Sequence, residues 1–173
     1  MNAFARYWLP PVVWMALIWG LSSDIGSSAQ TSRFFVPLLT WLFPWATPGQ
    51  IALGHGLVRK LGHLVEYAIL AALWFRALRG ERRLALPISA WTALAVSVAW
   101  AILDELHQST VASRTASATD VMLDAVGATL ALLTLFVTSV RARALPAQSG
   151  EAPCEIKPSD AGPGCRGGRR RTG

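Results

Sequence analysis

Apolar residues run through this chain in long blocks separated by short polar intervals, and the block lengths predict helices that cross a bilayer. A helical crossing of the hydrocarbon takes about 20 mostly apolar residues. Residues 84–103 and 121–140 reach that length unaided. Residues 61–78 supply another span, because His63, Glu66 and Arg76 lie within one or two turns of its ends, where snorkelling lowers their cost. Residues 7–21 form a shorter first span that opens with Trp8 and the pair Pro10-Pro11, which suit an interfacial start and a first helical turn. The pattern therefore predicts an all-α polytopic membrane protein, a bundle of four transmembrane helices within one domain, residues 1–140.

Two stretches ask for a decision. Arg6, the apolar run after it, and the small residues Ser27 and Ala29 resemble a cleavable signal peptide. The weak basic start and the bulky Trp8, Trp14 and Trp19 favour a retained anchor instead. Residues 34–46 are apolar and aromatic, but they are too few to cross as a helix and carry Pro37 and Pro44 near either end. An interfacial or re-entrant segment and a hydrophobic loop on the mouth of the bundle both fit them.

Composition agrees with the block pattern: 53% of residues are hydrophobic, 15% are charged, and the mean hydropathy is +0.39. The net charge of +6 would point to nucleic acid in a soluble protein. Here the basic residues flank apolar blocks or sit in the tail, so lipid is the expected partner and nucleic acid is not. Arg76, Arg79, Arg82 and Arg83 face Glu81 alone in the loop after the second span, and Arg141, Arg143 and Arg169-Arg170-Arg171 follow the last. The positive-inside rule then puts both termini of this multi-pass cell-membrane protein in the cytoplasm, against the weaker pull of Arg33, Arg59 and Lys60. Residues 141–173 read as a disordered basic tail, poor in aliphatic side chains, and Cys154 and Cys165 in it match no zinc spacing. No cofactor and no metal ligand is assigned.

With this topology, Lys60, His63, Glu66 and Tyr67 of the second span meet Asp104, Glu105, Gln108, Arg114, Asp120 and Asp124 at the outer mouth. Carboxylates so close to hydrocarbon are costly and need partners, which makes these ten residues the expected site. Lys60, His63 and Tyr67 share a helix face, and His63 and Glu66 are spaced to touch. Glu66 lies six residues beyond Lys60, about 9 Å along the axis at 1.5 Å per residue. Gln108 is in reach of both Asp104 and Glu105. Arg114, the only charge between Ser109 and Thr119, is the cation expected to clamp Asp104, Glu105 or Asp120. Asp120 stands where an N-cap belongs, and Asp124 lies one turn deeper, near Gly127 and Ala131, whose small size lets another helix approach. His107 ranks behind His63, as a residue at a helix end.

Lys60-x-x-His63-x-x-x-Tyr67, followed by Asp104-Glu105-x-x-Gln108, Arg114, Asp120 and Gly127, resembles the VanZ-like family, as does Leu21-Ser22-Ser23 after the first span. The match covers most of residues 1–140. The chain departs from the family in having Thr110-Val111-Ala112-Ser113 where an aromatic residue and Pro-Gly usually precede the arginine, and Asp124 where Asn is frequent. The resemblance implies a small multi-pass membrane protein of the cell envelope; the namesake is linked to reduced susceptibility to teicoplanin. Three functions fit the residues. The first is a binding or accessory role, with the outer site taking a lipid-linked or peptidoglycan-related head group. The second is an intramembrane enzyme, working by acid/base chemistry through Glu66 and His63 or with a metal at His63, His107, Asp104 and Glu105. The third is a purely structural polar network.

Overall fold

The computed structural model describes residues 2–23, 28–80, 83–112 and 117–144. Residues 141–144 of the expected tail are helical and continue α5; the rest of the tail, Arg114, Glu81 and Arg82 lie outside the described residues. Within them the chain is all-helical: α1 Ala3–Leu21, α2 Ser28–Leu42, α3 Pro48–Gly80, α4 Leu86–Thr110 and α5 Ala118–Ala144. By length and apolar composition, α3, α4 and α5 are the three helices able to cross a membrane.

The packing is that of a protein whose solvent is lipid. Large apolar side chains such as Trp91, Leu130 and Leu133 project outward, while Asp104, Gln108 and Asp124 are buried. In water this arrangement would expose far too much hydrocarbon; in a bilayer it costs nothing outside and demands polar pairing inside. One face of α4 shows how the interior is built. Ser89, Ala93, Ser97 and Ala101, four residues apart, are all buried, and Asp104 and Gln108 continue the same stripe. Small side chains let backbones approach, which is how helices associate where the hydrophobic effect gives no drive.

α3 and α5 meet backbone to backbone. A Cβ placed on Gly127 would stand 2.2 Å from the Leu64 carbonyl oxygen, so α5 lies directly on the α3 backbone there. Around this seam Ala71, Phe75, Ala128 and Leu132 join Leu86 and Ala93 of α4 in one apolar cluster. A second cluster places Ile18 of α1 against Tyr67, Leu70 and Ala101, and the Trp14 indole donates to the Glu66 carbonyl at 2.9 Å. These contacts fix α1 along α3.

Several boundaries differ from the sequence-based expectation. α3 has 33 residues, about 50 Å at 1.5 Å per residue, so it begins well before residue 61 and outruns the hydrocarbon thickness. α2 forms a helix over the first part of the proposed interfacial segment and packs on this extension, with Leu39 Cδ1 3.6 Å from the position a Cβ on Gly54 would take. Pro10 and Pro11 lie inside α1 rather than in its first turn, because the helix starts at Ala3. Neighbouring groups in a membrane bundle tolerate such an interruption.

Gly127→Ala forces the backbone contact apart and is expected to cost about 2 kcal/mol or more. Gly20→Ala, where nothing lies within 4 Å of the added methyl, leaves stability unchanged or slightly raised. Denaturant unfolding in mixed micelles compares the two; equal stabilities would remove the seam from the account.

Candidate functional site

Ser22 at the end of α1, the C-terminal turns of α4 and the N-terminal turn of α5 gather at the same end of the bundle as His63 and Glu66 of α3. The polar residues there divide into a buried set and an open set. In the buried set, the Ser22 hydroxyl donates to Asp104 Oδ2 at 2.7 Å, and Gln108 Nε2 donates to the same oxygen at 3.1 Å. Gln108 Nε2 also stands 3.4 Å from Ser22 Oγ. Two side chains, Ser22 from the end of α1 and Gln108 from α4, thus close on one carboxylate oxygen, which lowers the cost of burying it.

His63 and Asp124 form the second buried element. Nδ1 lies 3.4 Å from Oδ1, a charge contact between α3 and α5 whose angles fall short of an aligned hydrogen bond. It exists because Gly127, three residues on from Asp124, brings the two helices together beside Leu64. Glu105 has a different use. Its carboxylate accepts the Ser117 backbone N–H, so α4 caps the start of α5 from outside that helix. Asp120 sits in the first turn of α5, half-buried, where its charge complements the helix dipole. Tyr67 is completely buried.

The open set lines a cleft of about 250 Å³ among the end of α1, α2 and α3. Arg59, His63 and Glu66 contribute its polar wall from α3, Ser22 comes from α1, and Thr31 and Phe35 come from α2. His55 is also on this wall, its ring 3.3 Å from the Thr31 hydroxyl and 6.1 Å from the Phe35 ring centroid. Two residues, Ser22 and His63, face the cleft and also belong to the buried set.

Measured against the ten residues singled out from sequence, the structure brings His63, Glu66, Tyr67, Asp104, Glu105, Gln108, Asp120 and Asp124 to one end of the bundle. Lys60 is exposed and is not part of the cleft lining, and Arg114 lies outside the described residues. Gln108 serves Asp104, while Glu105 turns to Ser117. His107 stacks on Trp19, ring centroids 4.1 Å apart. Sequence reasoning overlooked the part played by Ser22, Thr31, Phe35, His55 and Gly62. The start of α3 at Pro48 would have placed His55 two turns before His63 on the same helix face. Among the described residues, no three His, Cys, Asp or Glu side chains converge as a metal-binding group.

Ser22→Ala removes the shorter of the bonds to Asp104 and leaves a buried carboxylate under-bonded, a loss of about 1–3 kcal/mol. Thr134→Ala, whose hydroxyl bonds the Leu130 carbonyl at an exposed position, stays within about 0.5 kcal/mol of the parent. Unfolding in micelles measures both, and equal losses would show that the buried set carries no stability.

No curated protein and no solved structure matches the chain. The sequence model of the VanZ/LLP1 family matches residues 7–139, which is most of the chain and includes every helix that builds the cleft and the buried set, so this protein belongs to the VanZ/LLP1 family.

Proposed function

We propose that the protein binds the polar head of a lipid-linked or peptidoglycan-related molecule in the cleft between α1, α2 and α3, as a binding or accessory component of the cell envelope. The observation that carries this reading is the cleft itself: Arg59, His55, His63 and Glu66 form a mixed-sign wall beside the apolar flank of α2. Its volume of about 250 Å³ lies just under the range of about 300–1,000 Å³ that encloses a whole small molecule. A sugar- or phosphate-sized head fits that space while its chain stays in lipid. Phe34, Trp41 and Trp45 are strongly exposed around α2, as aromatic side chains are at the level of lipid head groups.

The reading includes a fourth crossing and an orientation. α1 is 19 residues long, about 28 Å at 1.5 Å per residue, and it turns Leu9, Val13 and Leu17 outward. It runs beside α3 from Tyr7 near Gly80 to Ser22 near Asp104, so it traverses the same thickness. Placing the arginines of the α3–α4 connection in the cytoplasm puts the cleft on the outer face.

An enzymatic reading keeps one specific support. His63 is backed by Asp124 and shares the cleft wall with Glu66, an oriented imidazole beside a carboxylate, which is the equipment of acid/base chemistry. Turnover of a lipid-linked substrate that vanishes in both His63→Gln and Glu66→Gln would replace binding by catalysis.

The binding reading is tested with a polyprenyl phosphate in detergent micelles. Arg59→Gln is expected to weaken its binding about tenfold, on the scale of one charge-assisted contact to phosphate, with the helical circular dichroism unchanged. Undiminished binding by folded Arg59→Gln protein would reject it.

A further inference from the structure

The opposite end of the bundle has its own groove, of about 630 Å³, between α3 and α5 and closed by Tyr7 of α1. Its composition is graded along the helix axis. Ile69, Leu73 and Leu135 line the part nearer the bundle centre, and Arg76, Arg79 and Ser139 line the part nearer the helix ends. Ile69 and Arg76 are seven residues apart, about 10 Å along α3, so the hydrocarbon wall is continuous with the charged one.

The arginines are held in place. The Arg76 guanidinium carbon lies 5.6 Å from the Tyr7 ring centroid, and that of Arg6 lies 5.8 Å from the same ring. Tyr7 itself rests on Gly80, where an added Cβ would come within 2.2 Å of the ring. Arg79 Nη1 donates to the Leu84 carbonyl at 2.6 Å, which fixes the guanidinium near the α3–α4 connection and leaves its other N–H groups to point elsewhere. Charge at this end is one-sided. Among the described residues the carboxylates are Glu66, Asp104, Glu105, Asp120 and Asp124, all toward the cleft end. Glu81 in the α3–α4 connection stands in sequence against Arg82 and Arg83 of the same connection and Arg76 and Arg79 of α3.

We propose that this groove is a binding site for a phospholipid with an anionic head group, Arg76 and Arg79 taking the phosphate-bearing head and the Ile69, Leu73 and Leu135 wall taking the first part of an acyl chain. Charge complementarity selects the occupant. A groove with two oriented guanidinium groups above an apolar wall matches a lipid that joins an anion to hydrocarbon, and a zwitterionic lipid gains less from it. Arginine at a cytoplasmic helix end also serves topology. What distinguishes this pair is its attachment to an apolar groove and its fixing by Tyr7 and Leu84. The site is independent of the head-group cleft, at the other end of the same helix.

Native mass spectrometry of the full chain in detergent tests the proposal, with phosphatidylglycerol and phosphatidylcholine of identical acyl chains added in turn and sn-glycerol 3-phosphate as the head group without hydrocarbon. Phosphatidylglycerol adducts are expected at lipid concentrations about tenfold lower than phosphatidylcholine adducts, the scale of two arginines acting near a membrane surface. Glycerol phosphate adducts are expected to be negligible. Arg76→Gln, which leaves Arg79 in place, narrows the preference to about threefold, and Arg141→Gln, an exposed cation outside the groove lining, leaves the preference intact. Ile69→Trp, which fills the apolar limb without altering charge, lowers binding of both lipids. Equal retention of the two lipids, loss of the preference in Arg141→Gln to the same degree as in Arg76→Gln, or glycerol phosphate binding as tightly as the lipid would each overturn the proposal.

Discussion

The contact between Gly127 and the Leu64 carbonyl sets the geometry on which the rest of the bundle depends. With hydrogen as its only side chain, Gly127 lets α5 lie on the α3 backbone, and the dispersion gained along that seam is the main attraction available where apolar surface has no preference for protein over lipid. Asp124, three residues upstream, is thereby delivered to His63. The start of α5 comes within reach of Glu105, which caps it. One glycine thus determines where two of the buried charges go.

The division of the polar residues follows from that packing. Ser22 and Gln108 both donate to Asp104 Oδ2 inside the bundle, and their first duty is to hold α1 and α4 together. Arg59, His55 and Glu66 line a cleft. His63 and Ser22 belong to both groups, so occupancy of the cleft and the stability of the lock are physically joined. Under the proposed function, a charged head group bound at His63 would act on the same imidazole that faces Asp124. At the far end the chain concentrates arginine, and this charge partition gives the molecule two chemically distinct mouths along one set of helices.

Three of the four expected spans, those in α3, α4 and α5, were legible because length of apolar run is a strong signal. The gathering of His63, Glu66, Asp104, Gln108 and Asp124 followed from counting helix directions alone. The extension of α3 was hidden: Gly49, Gly54 and Gly56 lower helix propensity over that stretch, and the helix forms there against α2, a tertiary effect that no local pattern reports. Losing the extension meant losing His55, and with it part of the polar wall of the cleft. The partner of Glu105 was equally hidden, since Ser117 lies across a connection whose path the sequence does not give. Small residues at 89, 93, 97 and 101 were passed over in the sequence, although their four-residue spacing is that of the packing stripe leading to Asp104.

The most direct test of this account is a double-mutant cycle on His63 and Asp124, read as unfolding free energy in mixed micelles. If the α3–α5 seam couples the two, His63→Ala with Asp124→Ala destabilises little more than the worse single substitution, leaving an interaction energy within the range of about 0.5–3 kcal/mol found for contacting residues. Losses that simply add would show that the two side chains act independently, and would contradict the buried polar pair at the centre of the fold.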